Sequence, residues 1–95
     1  MENKKLYAVI SFEFGDFNGD YKIHGIFDNK NDAVKRMESK VAPLLAKDSY
    51  IYEKNWHIRT CEPDYFLAQC TLDGYQDDVV VAEIRFAVEE YTLNQ

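Results

Sequence analysis

The sequence predicts a single small α+β domain spanning residues 1–95, with a mainly antiparallel sheet and one amphipathic helix on one sheet face. Three observations support this class. A chain of 95 residues is too short for more than one modest core. Apolar residues alternate with a period of two in most segments, which is typical of strands, whereas one segment has the spacing of three and four of a helix. Short turns join the strands, so the element order is β-β-α-β-β-β with antiparallel pairing.

The first two strands are predicted to form a hairpin. Residues 6–14 alternate, and one side is wholly apolar: Leu6, Ala8, Ile10, Phe12 and Phe14. The pair Asn18-Gly19 favours a tight hairpin turn. Residues 21–28 then alternate as a second strand, with Tyr21, Ile23, Gly25 and Phe27 on one side.

The helix is predicted over residues 30–46. Its apolar stripe has helical spacing, and charged residues lie between its members; the stripe is Ala33, Val34, Met37, Val41, Leu44 and Leu45. Asn29 or Asn31 can cap the start of the helix. Pro43 lacks an amide hydrogen and should bend the last turn.

Three further strands are predicted over residues 50–61, 65–72 and 79–88, and an interruption of the first around Lys54-Asn55 is left open. The last of these contains three consecutive valines, which favour a strand. A helix over residues 78–91 is the alternative, because its apolar residues also fit helical spacing. Residues 92–95 are expected to be a frayed end.

The segment Gly-Ile-Phe-Asp-Asn-Lys-Asn-Asp-Ala at residues 25–33 resembles a pattern in small uncharacterised bacterial and phage domains. In that pattern a strand end leads into a helix that has an acid and an alanine early on. The resemblance covers about a tenth of the chain and implies only this strand-to-helix junction.

Charge and cysteine content limit the classes of function. The net charge of −6 arises entirely in residues 55–95, which hold Arg59 and Arg85 against eight acids. Binding to nucleic acid or to an anionic membrane relies on clustered basic residues, so neither is expected. No apolar run approaches the roughly 20 residues of a membrane span. Two cysteines suit a reducing compartment, so we expect a cytoplasmic protein in which Cys61 and Cys70 are free, buried thiols.

No motif predicts catalysis, a metal site or a cofactor. The spacing of Asp16, Asn18 and Asp20 imitates the start of a calcium loop, but the later ligand positions of that loop do not follow. His57 and Cys61 lie about 13 Å apart if they share a strand, which is too far for a nucleophile and its base. The chain is therefore predicted not to be an enzyme.

We therefore hypothesise a protein-interaction module that uses an acidic, tyrosine-rich face. The predicted contact residues are Tyr50, Tyr52, Trp56, Asp73, Tyr75, Asp77 and Asp78. The partner would be a basic protein, such as a nucleic-acid-handling enzyme inhibited in the manner of phage counter-defence, or a second copy in a homo-oligomer. The alternative is a small-ligand sensor or sponge, with a pocket between helix and sheet or between protomers. A single helix covers one sheet face, and the sequence leaves open which one.

Overall fold

The computed structural model describes residues 3–15, 18–53 and 55–94. It confirms the predicted class: five antiparallel strands form one sheet, and one helix packs against it. The elements follow the predicted order, with one additional 3-10 turn at Tyr50–Tyr52. Their bounds are β1 Asn3–Gly15, β2 Asn18–Phe27, α1 Lys30–Val41, β3 Trp56–Glu62, β4 Tyr65–Thr71 and β5 Val80–Asn94.

The strand order across the sheet is β2-β1-β5-β4-β3, so the first and last strands of the chain pair at its centre. This central ladder runs from the pair Asn3 and Asn94 to the pair Gly15 and Ala82. The segment for which a helix was the alternative is therefore a strand. Residues 92–94 also belong to it and are not a frayed end, because β1 supplies hydrogen-bond partners along the whole length.

Helix α1 begins at the predicted place and ends earlier than predicted. Asn29 is the cap, since its side-chain Oδ1 accepts a hydrogen bond of 2.9 Å from the amide of Asp32. The helix ends at Val41, two residues before Pro43, and the chain continues in tight turns. The amides of Leu44 and Leu45 both donate to the carbonyl oxygen of Val41.

The main core lies between α1 and one face of the sheet. Ala33, Met37 and Val41 point from the helix onto Val9 of β1 and Phe66 of β4, and all five are buried. Ile84 and Phe86 of β5 and Ile51 of the 3-10 turn complete this core. Burying one such large side chain contributes roughly 1.5–3 kcal/mol. The helix therefore covers the side of β1 that carries Val9, opposite to its predicted all-apolar side.

Two local predictions are wrong. Residues 50–52 form a 3-10 turn, and β3 begins only at Trp56. Strand β2 begins at Asn18, which pairs with Gly15, so the pair Asn18-Gly19 lies within the strand. The residues between these strands, Asp16 and Phe17, lie outside the described part of the chain.

Candidate interaction surface

The face of the sheet opposite α1 is uncovered, and we name it the open face. Ala8, Ile10 and Phe12 of β1 lie on it, because they alternate with the core residue Val9. Ala8 and Ile10 form a second buried cluster with Ala87 of β5, and Tyr65 of β4 packs against it. The open face therefore has apolar packing of its own, without a helix above it.

A β-bulge in β2 adds two isoleucines to this face. Gly25 pairs with Val9 and Ile23 pairs with Ile10, so β2 has one additional residue, His24, between these two pairs. Ile26 and Ile23 are three positions apart and would face opposite ways in a regular strand. Because of the bulge, both lie on the open face, where their side chains are 60% and 59% exposed.

The side chains on β1 and β2 form a continuous apolar block on this face. Phe12 and Phe14 contact each other with ring centroids 6.1 Å apart. Tyr21 pairs with Phe12 and is also exposed. We define the apolar block as Ala8, Ile10, Phe12, Phe14, Tyr21, Ile23 and Ile26.

Next to the block, a polar network crosses β5, β4 and β3. The carboxylate of Glu83 is buried, with 7% of the residue exposed. It accepts a hydrogen bond of 2.7 Å from Nε2 of Gln69 and forms an ion pair of 3.0 Å with Nη2 of Arg85. Arg59 donates to Oε1 of Gln69 and to the backbone carbonyl of Gln76. These contacts pair most of the polar groups of this network with one another, although Nε of Arg85 has no partner among the described residues.

Two of the predicted contact residues, Tyr50 and Trp56, lie together on the helix side of the sheet. Their rings meet edge to face with centroids 5.4 Å apart. With Glu13 and Asp20 they line a cavity of about 320 Å³ near one end of the sheet. Burial, and then the nearby carboxylate of Glu13, raise the pKa of Tyr50 above its usual value.

The other five predicted contact residues are distributed over two regions. Tyr52 is exposed, and its hydroxyl donates to the carbonyl oxygen of Leu45. The remaining four lie in the turn between β4 and β5, where Asp78 accepts a hydrogen bond from the amide of Asp73. Tyr75 is 71% exposed in this turn. The predicted acidic, tyrosine-rich face is therefore divided between the turn, the segment after α1 and the helix side of the sheet.

The side chains that could act as a nucleophile, a general base or a metal ligand lie apart from one another. Strands β3 and β4 pair as neighbours, but Cys61 is opposite Phe66 and Cys70 is opposite Trp56. Both thiols are free, but Cys61 is exposed and Cys70 is half-buried, contrary to the prediction that both are buried. Nε2 of His57 lies 3.1 Å from Oγ1 of Thr71. In the described ranges, no three His, Cys, Asp or Glu side chains lie close enough to hold a metal ion.

Sequence reasoning missed Ile23 and Ile26 as surface residues because it assumed unbroken alternation through β2. The bulge divides the four residues that the sequence places on one side: Tyr21 and Ile23, which precede it, lie on the open face, whereas Gly25 and Phe27, which follow it, lie on the helix side. The sequence predicts the apolar residues within 6–14 as one side of a strand and assigns them no role.

Neither α1 nor the 3-10 turn, which are the helical elements in the described ranges, is long and apolar enough to cross a membrane. Comparisons with known protein families, with curated proteins and with solved structures return no match for this chain.

Proposed function

We propose that this chain is a non-enzymatic protein-interaction module of the cytoplasm that pairs with a second copy of itself through the apolar block. The observation that supports this proposal is the exposure of Ile23 and Ile26 beside the buried Ile10. A cluster of exposed, adjacent apolar side chains on a small domain is typical of an interaction site.

The size of the open face suits a protein partner. The apolar block lies on two strands, so at about 4.8 Å per strand it is about 10 Å wide, and the rows from Ala8 to Phe14 make it about 20 Å long. Its projected area is about 200 Å², and the neighbouring part of the open face would supply the remaining contact area. A standard protein interface buries about 800 Å² per partner, and side chains add to the projected area.

The charge distribution favours a second copy over a charged partner. None of the side chains in the apolar block is charged. Both strands of the block belong to residues 1–54, in which nine basic and nine acidic residues cancel, whereas the net charge of −6 arises in residues 55–95. Two copies can therefore bring their blocks together without burying a charged side chain of the block itself.

The experiment is to measure the mass in solution by sedimentation equilibrium, for the wild type and two matched variants. Ile23→Glu places a charge in the block at a position that is 59% exposed, so the monomer should still fold. Val79→Glu is the control, because Val79 is 63% exposed but lies in the turn before β5. Circular dichroism checks the fold of each variant.

We expect the wild type and Val79→Glu to have twice the chain mass of 11.1 kDa. Ile23→Glu should raise the dimer dissociation constant at least about tenfold, since a buried unpaired charge is costly. A wild type that remains monomeric at millimolar concentration would overturn the proposal. So would a dimer that Ile23→Glu leaves intact, because the contact would then lie elsewhere, such as the outer edge of β2.

A basic protein partner is the second candidate, and it includes the inhibition of a nucleic-acid-handling enzyme. The exposed Tyr75 lies between the exposed acids Asp73 and Asp77, which together offer an aromatic anchor with negative charge around it. Native mass spectrometry of complexes captured from host lysate tests this, with Asp73→Lys plus Asp77→Lys as the variant. A captured partner that this variant retains as well as the wild type would exclude the acidic turn as its binding site.

A further inference from the structure

Two opposite charges are placed symmetrically on the open face. Arg85 and Glu89 of β5 are four positions apart, with Ala87 midway between them, and they pair with Phe12 and Ala8 of the apolar block. Both side chains therefore lie on the open face, next to the block. At about 3.3 Å per residue the two positions are about 13 Å apart, and within the chain Arg85 is paired with a different carboxylate.

The carboxylate of Glu89 has a hydrogen bond but no opposite charge. It accepts from the hydroxyl of Tyr91 and takes part in none of the ion pairs found in residues 3–15, 18–53 and 55–94. Covering a carboxylate with an apolar surface is costly unless a cation accompanies it. The side chain of Arg85 is 43% exposed beyond its contact with Glu83, so its guanidinium group is available to a second copy.

A two-fold rotation about an axis across the strands brings these two charges together. The rotation reverses the strand direction, so a residue two positions before the axis lies over the residue two positions after it in the other copy. With the axis at Ala87, Arg85 of each copy lies over Glu89 of the other. Because such an interface is self-complementary, the ion pair forms twice.

The apolar block matches itself under the same rotation. Phe12 and Ala8 are equally far from the axis, so the large ring of one copy lies over the small side chain of the other. Tyr21 pairs with Phe12, and Ile26 pairs with Ala8, so Tyr21 lies over Ile26 of the second copy. Large side chains opposite small ones allow two sheet faces to interdigitate. Strand β5 also widens the contact from two strands to three, about 14 Å.

An axis along β1 is the other way to place block on block, and it fits less well. Each residue would then keep its position along the strands while β2 of one copy lay over β5 of the other. Glu89 would lie under Ile26, since both pair with Ala8. Both carboxylates of the dimer would be covered by apolar side chains without a cation.

We propose that two copies stack face to face about a two-fold axis across the strands at Ala87, with Arg85 of each copy paired to Glu89 of the other. This arrangement rests on the proposed function, because it requires the two apolar blocks to meet. The apolar block supplies the contact, and the two ion pairs fix its direction and register, since charge complementarity selects among the possible arrangements of an interface.

Charge reversal followed by mixing tests the ion pairs. One variant is Glu89→Arg. The other is Arg85→Glu combined with Glu83→Gln, so that the new carboxylate does not lie beside a buried one. Each variant alone brings like charges together twice per dimer, so its dissociation constant should rise at least about tenfold. In an equimolar mixture both contacts have opposite charges, and the heterodimer should bind within about threefold of the wild type.

Sedimentation equilibrium measures these dissociation constants, and native mass spectrometry identifies the heterodimer by its mass. Glu90→Arg is the control for Glu89→Arg, because Glu90 pairs with Tyr7 and lies on the helix side. It makes the same change of charge one position away and should leave the dimer unchanged. Glu83→Gln alone should also dimerise as the wild type does. Circular dichroism checks the fold of every variant.

A distance between labels tests the same arrangement without changing a charge. Leu93 is 45% exposed and lies six positions after Ala87 on the open face. An axis at Ala87 across the strands places the Leu93 residues of the two copies about 40 Å apart, whereas an axis along β1 places them within about 20 Å. Pulsed electron paramagnetic resonance measures this distance with a spin label on Leu93→Cys, in a chain that also carries Cys61→Ser and Cys70→Ser.

The outcomes separate this arrangement from the proposed function. A dimer that Ile23→Glu disrupts but that mixing does not rescue would overturn the ion pairs and leave the proposed function intact. A label distance within about 20 Å would do the same for the axis. A wild type that remains monomeric would overturn both. Rescue on mixing together with a label distance of about 40 Å is the result we expect.

Discussion

Nε2 of His24 lies 2.7 Å from Oγ of Ser11. This hydrogen bond anchors the additional residue of the β-bulge in β2. Ser11 is buried on the helix side, and the imidazole also packs against Phe86, with ring centroids 5.5 Å apart. The bulge is thus fixed from the core side. Its consequence is on the other side, where it places Ile23 and Ile26 together.

The first prediction concerns pH. Burial lowers the pKa of His24 below the usual histidine value of 6.5, and the charges of Lys40 and Lys22 lower it further. The unfolded chain therefore takes up this proton at higher pH than the folded chain does. The free energy of unfolding should fall as the pH decreases from about 6.5 to the lower pKa of the folded state, and this contribution should be constant above that window.

Urea unfolding between about pH 8 and pH 5.5 measures this slope. His24→Gln can still bond to Ser11 but does not titrate, so its slope should be smaller than that of the wild type. Equal slopes for the wild type and His24→Gln would contradict the prediction.

The second prediction concerns the buried carboxylate of the open face. Arg85→Met removes the guanidinium group that pairs with Glu83 and keeps an apolar stem. Glu83 would remain buried with Gln69 as its hydrogen-bond donor, and an uncompensated buried charge is strongly destabilising. We expect a loss of about 2–4 kcal/mol in the free energy of unfolding, measured with urea at neutral pH.

Lys22→Met is the matched control for this variant. It breaks an ion pair with Asp20 in which both side chains are more than half exposed. Such pairs contribute less than about 1 kcal/mol. If both variants lost the same small amount, Glu83 would not depend on Arg85 for its charge compensation.

The third prediction concerns the start of α1. Asn29→Ala removes the side-chain oxygen that accepts from the amide of Asp32, and it should cost about 1 kcal/mol. Asn31→Ala changes the other asparagine that sequence alone allowed as a cap, at an exposed position within the helix. It should be neutral or slightly stabilising, because alanine has the higher helix propensity. Thermal unfolding of the two variants distinguishes these outcomes.

The fourth prediction concerns the turn that follows β4. Gly74 has a φ of 84°, and a Cβ atom there would collide with Oδ1 of Asn55. Gly74→Ala should therefore destabilise the fold by about 1–2 kcal/mol, through backbone strain and displacement of Asn55. Gly19→Ala is the control, since a Cβ at Gly19 would make an ordinary contact of 3.6 Å with the ring of Phe12. A larger loss for Gly19→Ala would contradict this account of the turn.

The sequence predicts contact residues that lie outside the apolar block. Tyr50 and Trp56, which the surplus of aromatic residues indicates, contact each other on the helix side of the sheet. The predicted acids and Tyr75 lie in the turn after β4. The placement of Arg85 and Glu89 beside the apolar block could not be predicted, because it depends on which strands pair.

Sequence by itself determined the type and order of the main elements. Period-two alternation identified five strands, and the stripe through Ala33, Met37 and Val41 identified the helix and its buried side. These patterns are local, because each involves residues only a few positions apart in the chain. The burial of one side of a strand or helix is enough to produce its apolar period.

Only the tertiary structure decided which face of the sheet the helix covers. Strand β1 is apolar on both sides, with Tyr7 and Val9 on one and Ala8 and Ile10 on the other, so its alternation does not select a face. The position of Ile26 was decided in the same way, because the bulge at His24 arises from the pairing of β2 with β1. Strand pairing and helix docking join residues distant in the chain, and these long-range contacts produced the apolar block.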